Sequence, residues 1–143
     1  MNATITRFGY PATLIADYAH WVVLLRSAQP TLGSLVLAAK SEATAFGDLP
    51  AAAHAELATV TRQIETVLGA AIGYAKINYL MLMMADPHVH FHVIPRYDGN
   101  REKSGIAIPD AGWPKTPDLG AARALEESEI PLLVEWIKGL WPN

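Results

Sequence analysis

Three histidines alternate with apolar residues in one short segment of this chain. His88, His90 and His92 are separated by Val89 and Phe91, and further apolar residues follow. Successive side chains of a β-strand point to opposite faces, so this spacing predicts a strand with all three imidazoles on one face. Near neutral pH an imidazole can attack an electrophile, transfer a proton or bind a metal. The segment is therefore the first candidate for a functional site.

Prolines bound the histidine segment at both ends. Asp86-Pro87 precedes it and Pro95-Arg96 follows it, and proline interrupts the hydrogen-bond ladder of a strand. Residues 76–84 upstream have the pattern of a second strand, and the short connection predicts an antiparallel pair at the centre of the sheet. Residues 80–84 are apolar at every position, so we expect both of their faces to be covered, either by helices of the same chain or by a second subunit.

The remaining pattern predicts three more strands and one long helix. The strands are expected over residues 12–16, 20–26 and 34–40. Residues 50–72 are rich in alanine, leucine, glutamate and glutamine, and their apolar side chains recur at helical spacing. Gly73 suits the C-terminal cap of this helix.

The C-terminal third of the chain is predicted to be a loop followed by a second helix. Residues 98–119 are polar and contain many glycines, prolines and aspartates, which is typical of a surface loop. The helix is expected to begin near Ser128 as the N-cap, with Pro131 in its first turn and Leu140 on its apolar stripe. This order of elements predicts an α+β fold, an antiparallel sheet with helices on one face.

Composition limits the class of protein. A chain of 143 residues with 51% hydrophobic and 17% charged residues fits one globular domain. A net charge of −3 without a lysine or arginine cluster argues against binding a nucleic acid polymer. The absence of cysteine excludes thiolate zinc sites, and no apolar run reaches the roughly 20 residues that cross a bilayer. Residues 1–7 have no hydrophobic signal region, so we expect a cytoplasmic protein with no membrane partner.

The residues from His88 to Ile94 resemble the signature of the histidine triad (HIT) family, in which three histidines alternate with apolar residues and a further apolar pair follows. Pro95-Arg96 matches a common form of the signature, and weaker similarity runs from Trp21 to Trp113. The resemblance implies a sheet of five strands, and with the two predicted helices and the length of the chain we expect a single HIT-like domain over residues 1–143, with an antiparallel sheet of about five strands, one long helix and a C-terminal helix. It also implies a possible homodimer.

The resemblance further implies chemistry on substrates that carry a nucleoside monophosphate, either dinucleoside polyphosphates or nucleoside phosphoramidates. His90 would be the nucleophile that forms a covalent nucleotidyl-histidine, and His88 and His92 would orient the phosphate oxygens and balance their charge. We also assign three substrate-binding residues within the similar region: Asn78, Ser34 and Gln29. No cofactor or bound metal is implied.

Two departures from the family pattern affect these expectations. Many members carry a fourth histidine after a glycine on an earlier strand, whereas here Gly33 is followed by Ser34, which cannot carry a positive charge. Asp86-Pro87 replaces a glycine-rich segment that contains glutamine or serine in better-known branches. Asp86 is expected either to bond its own backbone as a turn residue or, with a raised pKa, to act as an acid.

Two alternatives remain open from the sequence. Alternating histidines on a strand can present two ligands to zinc, nickel, copper or iron, although a third ligand is not evident. A nucleotide-binding module without turnover is the other alternative, suggested by Ser34 and by the altered segment before the triad.

Overall fold

The computed structural model describes residues 1–142, and a five-stranded antiparallel sheet lies at its centre. Within these residues the chain forms nine strands: β1 (Leu14–Asp17), β2 (Trp21–Leu25), β3 (Ala28–Gln29), β4 (Leu35–Ala39), β5 (Lys76–Leu80), β6 (His90–Arg96), β7 (Asn100–Lys103), β8 (Ile106–Pro109) and β9 (Arg123–Ala124). The main sheet has the order β1-β2-β4-β6-β5, and β3 pairs with β9 and β7 with β8. The α+β class and the five-stranded sheet predicted from the sequence are confirmed.

Two long helices cover one face of this sheet. The helices of the described residues are α1 (Ala3–Arg7), α2 (Ala51–Ile72) and α3 (Ile130–Leu140). The apolar stripe of α2 packs against the sheet to form the main core, and the stripe is buried at Val60, Ile64, Val67 and Leu68. Gly73 ends α2 in the left-handed conformation, with φ of +61°. None of the helices in residues 1–142 has the length and hydrophobicity of a membrane-spanning segment.

The short helix α1 covers part of the opposite face, and the sequence did not predict it. Asn2 caps α1 by accepting a hydrogen bond from the backbone N–H of Ile5. The Ile5 side chain is fully buried against a small apolar cluster of β2 and β4: Val22, Leu24, Val36 and Ala38. Five helical residues are too few to show a periodic pattern in the sequence. A helix this short is also unstable on its own, so α1 depends on its packing against the sheet.

The positions of β5 and β6 in the sheet differ from the prediction. The two strands pair as expected, with Leu80 opposite His92, but β4 occupies the centre and β5 lies at the edge. The chain leaves the sheet after Leu80, and Met83 has a positive φ of 51°. Leu82 is 48% exposed and Met84 is 90% exposed. The expectation that residues 80–84 are covered on both faces is therefore wrong.

Two further details of the C-terminal third are corrected. The predicted loop over residues 98–119 contains the hairpin of β7 and β8, whose turn is Ser104-Gly105 with positive φ at both residues. The helix α3 begins at Ile130 after Glu129, and no side chain caps it, so Ser128 is not the N-cap. Pro131 does lie in the first turn, whereas Leu140 is 44% exposed at the last position.

Candidate active site

His90 and His92 line a cavity of about 270 Å³ on the face of the sheet that carries α1. They are the first and third residues of β6, and their ring centroids lie 5.2 Å apart with the ring planes nearly perpendicular. The other lining residues come from four parts of the chain: Phe8, Arg26, residues 82–86 and Leu119. The strand therefore places two of the three predicted imidazoles at one opening.

The tautomer of His90 follows from its hydrogen bond. Its Nδ1 lies 2.7 Å from the backbone oxygen of His88, and because a carbonyl can only accept, Nδ1 carries the proton. In the neutral ring Nε2 is then unprotonated, and its lone pair is available for attack. The backbone carbonyl of His88 therefore fixes the tautomer of the His90 ring.

His92 has the opposite tautomer. The Nε–H of Arg26 donates to His92 Nδ1 at 3.2 Å, so in the neutral ring the proton is on Nε2. Burial lowers the pKa of His92 to about 4, with further lowering by Arg26 and His90 and an opposing effect of Asp86. At neutral pH His92 therefore contributes an N–H donor and not the positive charge that the resemblance implied.

We expect the low pKa of His92 to make stability depend on pH. Between its ordinary value of 6.5 and its folded value of about 4, the unfolded chain binds a proton that the folded protein does not. As the pH falls through this range, the free energy of unfolding should decrease by at most about 3 kcal/mol. Urea denaturation at a series of pH values measures this slope, and His92→Asn should remove this contribution. An unchanged slope in the variant would contradict the assignment.

His88 lies before β6 and is not among the residues that line the cavity. Its Nε2 lies 3.0 Å from a carboxylate oxygen of Glu42, and its Nδ1 lies 2.8 Å from Oγ1 of Thr4. These contacts fasten the His88 ring to α1 and to the segment after β4. What His88 offers the cavity is its backbone carbonyl, which orients His90.

The N-terminal segment forms one wall of the cavity. The ring centroid of Phe8 lies 5.3 Å from that of His90 and 5.9 Å from that of His92. Arg7 Nε is 3.1 Å from Asp86 Oδ1, which ties the end of α1 to the segment before the triad. Within residues 1–142 Oδ1 of Asp86 accepts no hydrogen bond, and the contact of this atom is the ion pair with Arg7 instead of the expected bond to its own backbone.

Gln29 and Ser34, two of the predicted substrate-binding residues, are fully buried away from the cavity. Gln29 accepts a hydrogen bond from the Gly33 N–H at 2.9 Å, and Ser34 Oγ donates to Thr31 O at 2.8 Å. Neither side chain is exposed at the cavity, so the structure does not bring them together with His90, and their assignment as substrate contacts stays a prediction. Their hydrogen bonds instead shape the turn that follows Arg26, whose backbone oxygen accepts from Gln29 Nε2 at 2.5 Å.

Asn78, the third of these residues, lies on the histidine face but at a neighbouring cavity of about 420 Å³. Its Oδ1 accepts a hydrogen bond from Arg96 Nη1 at 2.8 Å. Trp113 and Lys115 line the same cavity. The structure therefore brings Asn78 together with Arg96 and not with His90.

Arg26 and Phe8 are two lining residues that the sequence did not indicate. Arg26 follows five buried apolar residues, and a charged residue at a strand end is ordinarily solvated. Phe8 reaches the cavity only because α1 folds onto the sheet. Among residues 1–142, no group of three or more histidine, aspartate or glutamate side chains has an arrangement that could hold a metal ion.

The family model described as the HIT domain matches residues 10–99, well over half of the chain. The chain belongs to the HIT family. Within this HIT protein, α1 and Phe8 lie before the matched region, and Leu119 lies after it. The match therefore includes the two histidines and Arg26 but not the wall that α1 contributes.

Solved structures of other HIT proteins share the fold. A histidine triad protein from Bradyrhizobium japonicum is 19% identical with a TM-score of 0.75, covering 99% of this chain and 97% of its own. A histidine triad protein from Sinorhizobium meliloti is 22% identical with a TM-score of 0.74, covering 97% of this chain and 94% of its own. The diadenosine triphosphate hydrolase of Plasmodium falciparum, in complex with cyclomarin A, is 10% identical with a TM-score of 0.65, covering 90% of this chain and 76% of its own. The search of curated proteins finds no match.

Proposed function

We propose that this HIT protein hydrolyses substrates that carry a nucleoside monophosphate, or transfers their nucleotide, through a covalent nucleotidyl-His90. The observation that carries the proposal is the hydrogen bond from His90 Nδ1 to the His88 carbonyl, because it leaves Nε2 as a nucleophile beside a cavity. The similarity to a diadenosine triphosphate hydrolase supports the same reaction class.

The reaction proceeds in two displacements at the α-phosphorus. In the first, the Nε2 lone pair of His90 forms a bond to phosphorus, and the bond from phosphorus to the leaving atom breaks with its electron pair. The leaving atom takes up a proton. In the second, water attacks phosphorus and loses a proton, the bond from Nε2 to phosphorus breaks, and the nucleoside monophosphate is released. The Nε2–H of His92 donates to a phosphoryl oxygen in both steps.

Product analysis with three candidate substrates tests this function. The purified protein should release AMP from adenosine 5′-phosphoramidate, from diadenosine triphosphate or from diadenosine tetraphosphate, and the preferred substrate identifies the leaving group that the site accepts. The three substrates share the adenylyl group and differ in the group bonded to its phosphorus, through nitrogen in the phosphoramidate and through oxygen in the polyphosphates, so their comparison isolates the leaving group. Binding of AMP without turnover of any of them would refute the hydrolase and favour a nucleotide-binding module.

For Asn78 we keep the role in holding the nucleotide as a proposal. Asn78→Ala is expected to raise the apparent KM by about tenfold and to lower kcat much less, because a lost contact that is made equally in ground state and transition state affects binding alone. Steady-state kinetics measure both constants. Unchanged kinetics with a lowered melting temperature would show that Asn78 serves only the hydrogen bond from Arg96.

Two broader expectations stay predictions. A homodimer is supported by the position of β5 at the edge of the main sheet, where its outer backbone groups are open to pairing. Light scattering of the purified protein distinguishes a dimer from a monomer. A cytoplasmic location agrees with the absence of cysteine, and fractionation of cells that produce the protein tests it.

A further inference from the structure

The sheet register directs Arg26 to the histidines. Leu24, Val36 and His92 lie side by side across β2, β4 and β6. Arg26 is two residues beyond Leu24 and therefore on the same face. From there its guanidinium crosses β4 and reaches His92 Nδ1 at 3.2 Å.

The turn after β2 holds Arg26 in this position. Its backbone N–H donates to Ser34 O at 3.1 Å, and its Nη1 donates to the backbone oxygen of Ala28. No hydrogen bond from Nη2 is found within residues 1–142, and the side chain lines the cavity beside His90 and His92. The guanidinium therefore has one nitrogen to offer a ligand while its other two are fixed.

The cavity needs a cation if it binds a phosphoryl group. His92 is neutral at neutral pH, since its pKa is about 4, and His90 attacks only in its neutral form. Asp86 adds a negative charge to the lining, which Arg7 faces from the other side. Among the lining residues that the structure describes, Arg26 alone carries a permanent positive charge.

We propose that Arg26 is a positioning and phosphate-binding residue of this site. Its Nε–H holds His92 in the tautomer that presents Nε2–H to the substrate, and its Nη2 binds a non-bridging oxygen of the phosphoryl group. The second part rests on the proposed function, and the first part concerns the free protein alone. Arginine suits both tasks because its planar donors point in fixed directions.

Nitrogen NMR of the imidazole rings tests the positioning role without substrate. In the wild-type protein, His92 should show unprotonated Nδ1 and protonated Nε2, and the ring should titrate near pH 4. In Arg26→Met the midpoint should rise, because the guanidinium cation that disfavours a second positive charge is removed. The titratable groups that still face the ring are then His90 and Asp86. The His92→Asn spectrum assigns the signals. A proton on Nδ1 of wild-type His92 would overturn this role.

Binding of AMP and of adenosine tests the phosphate contact. Arg26→Met should weaken AMP binding by about tenfold or more and leave adenosine binding within about twofold, since only AMP carries the phosphate. Arg26→Lys should restore part of the AMP affinity. Arg62→Met, at an exposed position of α2, is the matched control and should change neither affinity.

The outcomes separate this proposal from the proposed function. AMP affinity within twofold of wild type in a folded Arg26→Met protein would overturn the phosphate contact, as would an equal loss of AMP and adenosine binding. If Arg26→Met fails to fold, the His92 tautomer in the wild-type NMR spectrum tests the positioning role. The affinities of Arg26→Lys for AMP and adenosine then test the phosphate contact. Arg26-dependent AMP binding without turnover of any substrate would refute the proposed function and leave this proposal standing.

Discussion

Replacement of His90 by glycine is expected to lower kcat by at least about 10⁴-fold, because the change removes the atom that we propose attacks phosphorus. AMP binding should be largely preserved, since the phosphate contacts proposed for His92 and Arg26 do not depend on that ring. The fold should also persist, because the backbone of β6 keeps its partners in β4 and β5. Steady-state kinetics and AMP titration of the same preparation give both quantities.

His54→Gly is the matched control for this experiment. His54 is an exposed histidine of α2 whose ring contacts Phe46, and it lies outside the cavity. Its replacement should leave kcat within about twofold of wild type. If the His90 variant kept more than about 1% of wild-type kcat, His90 would not be the nucleophile.

Asp110→Ala is expected to reduce the free energy of unfolding by about 3 to 5 kcal/mol, because it leaves the charge of Arg96 buried without a counterion. Arg96 Nε donates to Asp110 Oδ2 at 2.7 Å and Nη2 donates to Oδ1 at 3.1 Å. The two side chains are only 4% and 1% exposed. The pair joins the end of β6 to the segment after β8, so its loss also frees the wall that Trp113 forms beside Asn78.

Chemical denaturation measures this effect, and the melting temperature should fall by roughly 10 °C or more. Asp98→Ala is the control, since Asp98 is exposed and is expected to change stability by no more than about 0.5 kcal/mol. A loss below about 1 kcal/mol for Asp110→Ala would show that water solvates Arg96 or that the segment rearranges to pair it.

The elements with a strong period were predictable. The apolar residues of α2 recur at spacings of three and four residues, and the glycine after the helix is typical of a C-terminal cap. The helix and its C-terminal end were therefore found from the sequence. The order of the strands was not, because the apolar residues 80–84 made β5 resemble a central strand, and pairing is decided by contacts distant in the chain. The hairpin of β7 and β8 was missed because each strand has only four residues, β7 is polar throughout and β8 ends in a proline.

The part of the candidate site that lies on β6 was predictable, because histidines alternate with apolar residues along this one strand. His90 and His92 lie at the cavity as expected, whereas the break in the strand before His90 leaves His88 with Thr4 and Glu42. Arg26 and Phe8 come from other elements, and no spacing in the sequence connects them to the histidines. The register of β2, β4 and β6 brings Arg26 to the histidines, and the packing of α1 on the sheet brings Phe8.

Rapid-quench labelling tests the central claim most directly. The protein is mixed with a substrate labelled in its AMP portion, quenched during the first turnover under alkaline conditions that preserve a bond between phosphorus and nitrogen, digested and sequenced by mass spectrometry. We predict one AMP group on the peptide that contains His90, located on that residue and absent from the His90→Gly protein. Turnover without a labelled peptide, or a label on any other residue, would contradict the account.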